Sequence, residues 1–302
     1  MSAPEVFREK SLMRAWSRYH RFQGKTLALV PTMGFLHEGH LLLVRTAKSL
    51  ADVTVVSIYV NPGQFAPSED LASYPSDLAG DLRKLSAAGA DAVFCPADLY
   101  HSSPGDLPIE GEAASCLEDD GSGHETWIRV EMLEKGLCGR SRPVFFRGVA
   151  TVVAKLFNIV EPDLAIFGKK DYQQWRVICR MVRDLDFAIT VIGLDVVREA
   201  DGLAMSSRNV RLSPECREKA LSIYRSLSKA KISAEKGQKN SHELKYLVKQ
   251  MISEAGGKID YVEVVEQQGL QPVEEEISCP VVVCVAASFG DVRLIDNVEI
   301  NI

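Results

Sequence analysis

No stretch of this 302-residue chain is both apolar enough and long enough to cross a bilayer; its longest apolar runs are of strand length. No block of lysine and arginine occurs either. A net charge of −6 and a pI near 5.6 weigh against non-specific nucleic-acid binding, because phosphate backbones are met by basic surfaces. The seven cysteines, at positions 95, 116, 138, 179, 216, 279 and 284, are odd in number and contain no Cys-x-x-Cys pair. That excludes the usual zinc spacing and favours reduced thiols over a disulfide framework, with Cys279 and Cys284 expected in strands or core. The opening Met1-Ser-Ala-Pro-Glu-Val6 lacks a charged n-region and an apolar h-region, so no secretory signal is expected. Internal repeats and extended low-complexity tracts are absent too. What remains is a chain with 46% hydrophobic content, enough for a sizeable core, most simply in two domains of a cytoplasmic enzyme.

The first half alternates short β-rich runs (Thr26–Val30, Val53–Val60, Ala92–Phe94, Leu164–Phe167, Ala188–Ile192) with helical patterns near 5–22, 40–51, 77–88, 148–160 and 171–185. Such alternation predicts a parallel sheet covered on both faces, an α/β fold whose ligands lie at the carboxyl edge of the strands. Residues 101–126 are small, polar and acidic, which reads as a surface insertion. From about residue 198 the composition changes. Helical segments at 213–232 and 241–255 precede strand-like runs at Asp260–Val265, Val281–Ala287 and Val292–Ile295, the pattern of a smaller α+β domain. The boundaries expected are 1–197 and 198–302.

The most informative stretch follows the first strand: Pro31-Thr-Met-Gly-Phe-Leu-His-Glu-Gly-His40, then the helical Leu41-Leu-Leu-Val. His37 and His40 are three apart and share a face if the helix has begun there. The first turn of a helix behind a strand offers open backbone N–H groups and the positive end of the dipole, which suit phosphate. Gly34 and Gly39 allow a nucleotide close to the backbone. The pair predicts nucleotide transfer.

Four further segments carry polar chemistry: Asn61-Pro-Gly-Gln-Phe65 and the loop to Pro75; Phe146-Arg-Gly-Val and the helix to Asn158; Phe167-Gly-Lys-Lys-Asp-Tyr-Gln-Gln174; and Arg198-Glu-Ala-Asp-Gly-Leu-Ala-Met-Ser-Ser-Arg-Asn209. Each alone is a commonplace turn or cap composition. Their co-occurrence in order is specific, and the chain resembles the pantoate–β-alanine ligase (pantothenate synthetase) family over nearly its whole length. His37-Glu-Gly-His40 and Met205-Ser-Ser-Arg208 are similar to the two signatures of the wider nucleotidyltransferase class.

The resemblance implies a Rossmann-like nucleotidyltransferase domain, a C-terminal lid domain, and ATP-dependent condensation of (R)-pantoate with β-alanine. Pantoyl adenylate would be the intermediate, with release of AMP and pyrophosphate. It implies an ATP site of Met33, Gly34, His37, Gly39, His40, Gly168, Lys169, Lys170, Asp171, Val197, Met205, Ser206, Ser207 and Arg208. His40 would be the proton donor, acting with His37, Lys170 and Arg208. The chemistry alone leaves Lys169 and Lys170 open; the family pattern favours Lys170. Gln64 and Gln174 would hold pantoate and Gln64 also β-alanine, while Pro31, Met33 and Phe65 suit the gem-dimethyl group. Magnesium would accompany ATP, near Asp81.

The resemblance further implies a homodimer, with neither nucleic acid nor membrane as partner. It also implies a site between the domains, into which Met205–Arg208 swing. Two departures, Cys138 in Leu137-Cys138-Gly139 and Phe145 in place of a histidine, resemble the plant-type branch and concern lid or subunit-contact detail. His20, His101, His124 and His242 are expected on the surface. The rival reading, another nucleotidyltransferase, leaves Gln64 and Gln174 without a role.

Overall fold

The computed structural model describes residues 3–66, 69–100 and 124–301, so the insertion expected over 101–126 lies almost wholly outside the described residues. The chain divides into two compact units. One comprises Met1–Glu134, Arg142–Gly168 and Val177–Leu194; the other comprises Lys135–Ser141, Lys169–Arg176 and Asp195–Ile302.

The first unit is built on a six-stranded sheet, all parallel: β1 (Glu5–Phe7), β2 (Leu27–Thr32), β3 (Val53–Ile58), β4 (Ala92–Phe94), β5 (Leu164–Gly168) and β6 (Thr190–Leu194), in the order β1-β4-β3-β2-β5-β6. Between them run α1 (Lys10–Phe22), α2 (Glu38–Leu50), α3 (Leu78–Ala88), α5 (Phe145–Val160) and α6 (Tyr172–Asp184). Ala28, Val30, Val56, Val93 and Ile166 pack with Leu43, Val44 and Ala47 of α2 and Leu85 of α3. The alternate strand positions Leu27, Leu29 and Val55 are just as buried. A sheet buried on both faces requires this, and it is why these strands read as unbroken apolar runs. Strand order reverses between the neighbours β2 and β5, the crevice where parallel sheets of this type take ligands.

Several boundaries differ from expectation. The helix read over 5–22 is a short edge strand, β1, followed by α1 from Lys10; three residues are too few to show a period. The last strand of the sheet lies at Thr190–Leu194 rather than Ala188–Ile192. His124 is half-buried rather than exposed: its ring packs at 5.0 Å from Tyr100 and 5.3 Å from Trp127, and burial lowers its pKa. His20 is half-buried against Trp16, whereas His242 is exposed.

The second unit pairs α7 (Pro214–Glu235) and α8 (Ser241–Glu254) with an antiparallel sheet of β7 (Lys258–Glu266), β8 (Val281–Phe289) and β9 (Val292–Ile300), and includes the short α4 (Leu137–Ser141). Ser213 and Asn240 cap α7 and α8 by accepting from the backbone N–H of Cys216 and Glu243. Val281, Val283, Val285, Ala287 and Phe289 alternate into the helix-covered core, as a period of two demands. Cys284 is buried on β8; Cys279 is partly buried, before that strand. All six described cysteines are free thiols, and among the described residues no helix is long and apolar enough to cross a membrane.

Candidate active site

In the first unit, β2 ends in a turn that must reverse quickly into α2. Gly34 (φ 86°) and Phe35 (φ 50°) both take the left-handed region, glycine at no cost and phenylalanine against its preference. Asp81, buried in the first turn of α3, compensates: its Oδ2 accepts from Phe35 N at 2.7 Å and its Oδ1 from Leu36 N at 2.7 Å. One turn along α3, Lys84 Nζ donates to the Leu36 carbonyl at 2.7 Å. The carboxylate expected near magnesium thus spends both oxygens ordering the signature loop. Asp81→Ala strands two buried N–H groups, so an expected loss of about 3 kcal/mol follows. Asp81→Asn, which keeps one acceptor, should lose about half of that. Urea unfolding measures both; a change below about 0.5 kcal/mol for alanine, the range of an ordinary surface site, would refute the clip.

His37 is the N-cap residue of α2 and His40 its third helical position, their ring centroids 4.0 Å apart. His37 N–H donates to His40 Nδ1 at 3.4 Å, so the neutral His40 ring carries its proton on Nε2, the opposite edge. Gly39, between them, is buried.

Behind β3, Pro62–Gln64 form a 3-10 turn. Asn61, buried and unforeseen, donates through Nδ2 to Gln64 Oε1 at 2.9 Å. Gln64 Nε2 then lies 3.4 Å from Met33 Sδ. Pro31 and Met33 are partly exposed, while Phe65 is buried against Tyr74. Arg142, also unforeseen, is ion-paired with Glu69 and donates to the Gln64 carbonyl at 3.3 Å.

In the second unit the two lysines separate. Lys169 Nζ is tied to Glu299 at 2.8 Å and Asp195 at 3.0 Å; burial lowers its pKa, but these carboxylates outweigh it and leave the ammonium above its ordinary value. Among the described residues Lys170 has only its neighbour Asp171 as an ion-pair partner, at 3.3 Å, and it lines a small cavity with Ala204, Ser206 and Asp296. The glutamines of α6 separate as well. Gln173 is buried, accepting from Cys138 N at 3.0 Å and donating to the carbonyls of Lys135 and Gly136 at 3.1 and 3.2 Å. Gln174 is partly exposed.

The Met205–Arg208 segment is held at its base: Met205 N donates to the Val197 carbonyl at 2.9 Å, and Ser206 Oγ accepts from Arg208 N at 3.2 Å, capping a 3-10 turn that buries Ser207. Two adjacent β9 residues support these segments. Asn297 Nδ2 donates to the carbonyls of Lys169 and Lys170 at 2.8 and 3.0 Å, and Asp296 forms a two-pronged pair with Arg198. Neither was singled out from the sequence, although a polar pair within the apolar run Leu294-Ile-Asp-Asn-Val298 is the available signal.

The first unit presents imidazole donors at a helix start and amides at a strand end; the second presents cations and hydroxyls beside β9. A family model described as pantoate-beta-alanine ligase matches residues 5–299. The chain is 65% identical to the pantoate–β-alanine ligase of Oryza sativa subsp. japonica, over 99% of this chain and 97% of that protein. The crystal structure of pantothenate synthetase from Thermus thermophilus superposes with a TM-score of 0.85 at 38% identity, covering 99% of this chain and all (100%) of that one. A pantoate-beta-alanine ligase from Francisella tularensis, solved in complex with beta-gamma ATP and beta-alanine, gives 0.76 at 31% identity, covering 98% and 97%.

Proposed function

The chain belongs to the pantoate–β-alanine ligase family, and from that premise we propose that it makes pantothenate in two steps through a pantoyl adenylate. A pantoate carboxylate oxygen attacks the α-phosphorus of ATP; the bond from that phosphorus to the bridging oxygen breaks and pyrophosphate leaves. The amine of β-alanine then attacks the acyl carbon, loses a proton, and expels AMP. Charge develops on phosphate oxygens in the first step, so fixed donors and cations supply most of the catalysis. His37 and His40 meet the phosphates, His40 through its Nε2–H. Lys170, Ser206, Ser207 and Arg208 supply further cations and donors to the phosphates, and Gln64 and Gln174 hold the acid.

The observation that carries this reading is the histidine pair at the start of α2, with rings 4.0 Å apart beside the β2–β5 reversal. The complexed relative from Francisella tularensis supports ATP and β-alanine as ligands. Among the described residues no group of three or more His, Cys, Asp or Glu side chains is placed to hold a metal, and Asp81 is engaged by backbone. The residues therefore do not fit a protein-built magnesium site; the cation would come with ATP, held by phosphate and water. A homodimer through the α/β unit is part of the same proposal.

The test is AMP and pyrophosphate release from ATP, magnesium, pantoate and β-alanine, with one substrate omitted at a time. AMP formation that needs both acids, with adenylate-dependent pyrophosphate exchange needing only pantoate, is the expected result. Pyrophosphate without AMP would point to the rival nucleotidyltransferase.

A further inference from the structure

Buried amides next to a ligand site raise one question that distances can answer: which end of the amide faces the ligand. Asn61, Gln64 and Tyr100 are all buried, at 1%, 6% and 5% exposure, and they form a chain. Tyr100 Oη donates to Asn61 Oδ1 at 2.5 Å; Asn61 Nδ2 donates to Gln64 Oε1 at 2.9 Å and to the Gly148 carbonyl at 3.2 Å. We propose that Tyr100 is a positioning residue that, together with the Gly148 carbonyl, pins Asn61 and so holds the Gln64 amide with its donor end toward the acid substrate. This rests on the reading that Gln64 binds the carboxylate of pantoate.

The direction of the chain follows from one group that cannot reverse. The Gly148 carbonyl only accepts, so the Asn61 end facing it must be Nδ2. Rotating Asn61 would set two oxygens 3.2 Å apart, an uncompensated buried clash of acceptors. With Nδ2 fixed, Oδ1 faces Tyr100, whose hydroxyl must donate. Gln64 must likewise turn Oε1 to Asn61. Its Nε2 is then left facing Met33 Sδ at 3.4 Å, a weak acceptor that a carboxylate readily displaces. An amide free to rotate would present its oxygen to a carboxylate in one of its two orientations, and a fixed one never does.

The backbone that builds this relay comes from neighbouring strands. Asn61 follows β3, Tyr100 follows β4, and Gly148 is the fourth residue of α5. The Tyr100 ring is held independently of its hydroxyl, stacked at 5.8 Å on Trp127 with Lys155 Nζ 5.4 Å from its centre. Removing the hydroxyl should therefore loosen Asn61, leaving it held through Nδ2 alone, without moving the ring.

Tyr100→Phe is the test. KM for pantoate should rise about fivefold to tenfold, the equivalent of one lost hydrogen bond. KM for ATP and kcat should be unchanged, while the melting temperature falls by the few degrees that one orphaned buried acceptor costs. A packing defect would move both KM values and kcat. In a Gln64→Ala background the same substitution should add no further rise; an equal rise there would overturn the relay. A readout free of substrate comes from the side-chain amide resonances of ¹⁵N-labelled protein, with Gln64 assigned by its loss in Gln64→Leu. They should shift in Tyr100→Phe, and an unshifted Gln64 amide would also overturn the relay. A shifted amide in an enzyme without pantoate-dependent turnover would uphold the relay and overturn the pantoate reading.

Discussion

Gly148→Ala is expected to weaken folding of the α/β unit and to cost about a hundredfold in kcat/KM for pantoate in the molecules that fold. By propensity alone the change should help, since glycine inside a helix is about 1 kcal/mol worse than alanine. Here the added methyl would lie 2.0 Å from the Gly63 carbonyl oxygen, 2.3 Å from its carbon and 2.5 Å from Gln64 N. All three are backbone atoms, so no rotamer change relieves the contact. Either α5 or the Pro62–Gln64 turn must move by about an ångström, on the scale at which cores resist overpacking. Both movements break the Asn61–Gly148 hydrogen bond that orders the amide relay. Thermal unfolding and steady-state kinetics check the outcome. A variant more stable than the parent, with pantoate KM intact, would mean that helix and turn are not in this close contact.

Gly148 also shows where the sequence stopped being legible. The helix was read as entered through this glycine, whereas it begins at Phe145 and the glycine sits inside it. A glycine within a helical pattern can mark an end or a close approach, and only the second strand of contact, from the turn after β3, decides between them. The parallel sheet, by contrast, could be read directly: Val53-Thr-Val-Val-Ser-Ile58 and Leu164-Ala-Ile-Phe167 are largely buried on both faces and so carry no charged residue.

The residues proposed to face the ligands stood out in the sequence because their types are chemically unusual for their positions. Two histidines at a helix start, or Lys-Lys-Asp at a strand end, invite a phosphate reading. The residues behind them did not stand out. Asn61 passed for a turn former, Tyr100 was not singled out, and Asp81 passed for a metal neighbour. Each acts across 39 to 87 positions of sequence, as in the Tyr100–Asn61 and Asn61–Gly148 bonds, and pattern reading has no reach over such separations. Lys169 and Lys170 were likewise equivalent in sequence until Glu299 and Asp195 engaged the first.

Asp296→Ala is expected to destabilise the C-terminal unit by about 3–5 kcal/mol, the cost of removing one partner from a buried ion pair. Asp296 alternates with Leu294 and Val298 along β9 and is fully buried; burial pushes its carboxyl up, and the Arg198 guanidinium pulls it back down. Arg198 donates to Asp296 Oδ2 at 2.6 Å and Oδ1 at 3.0 Å, reaches the Gly202 carbonyl at 3.1 Å, and lies 4.6 Å over the ring of Tyr224. It therefore staples the base of the loop that leads to Met205–Arg208. Asn297, the next residue, points to the other face of the strand and holds the Lys169–Lys170 turn. Loss of Asp296 leaves the guanidinium without its counter-charge and loosens the loop, so ATP KM should rise about tenfold as stability falls. The double variant Asp296→Leu with Arg198→Met separates the two effects. An apolar replacement of both partners should restore most of the stability, as buried pairs commonly allow. It restores no tie to the Gly202 carbonyl, so ATP KM should stay high. Urea unfolding alongside ATP saturation curves decides the matter: recovery of both together would reduce the pair to a packing element, while recovery of stability alone identifies it as the anchor of the phosphate clamp.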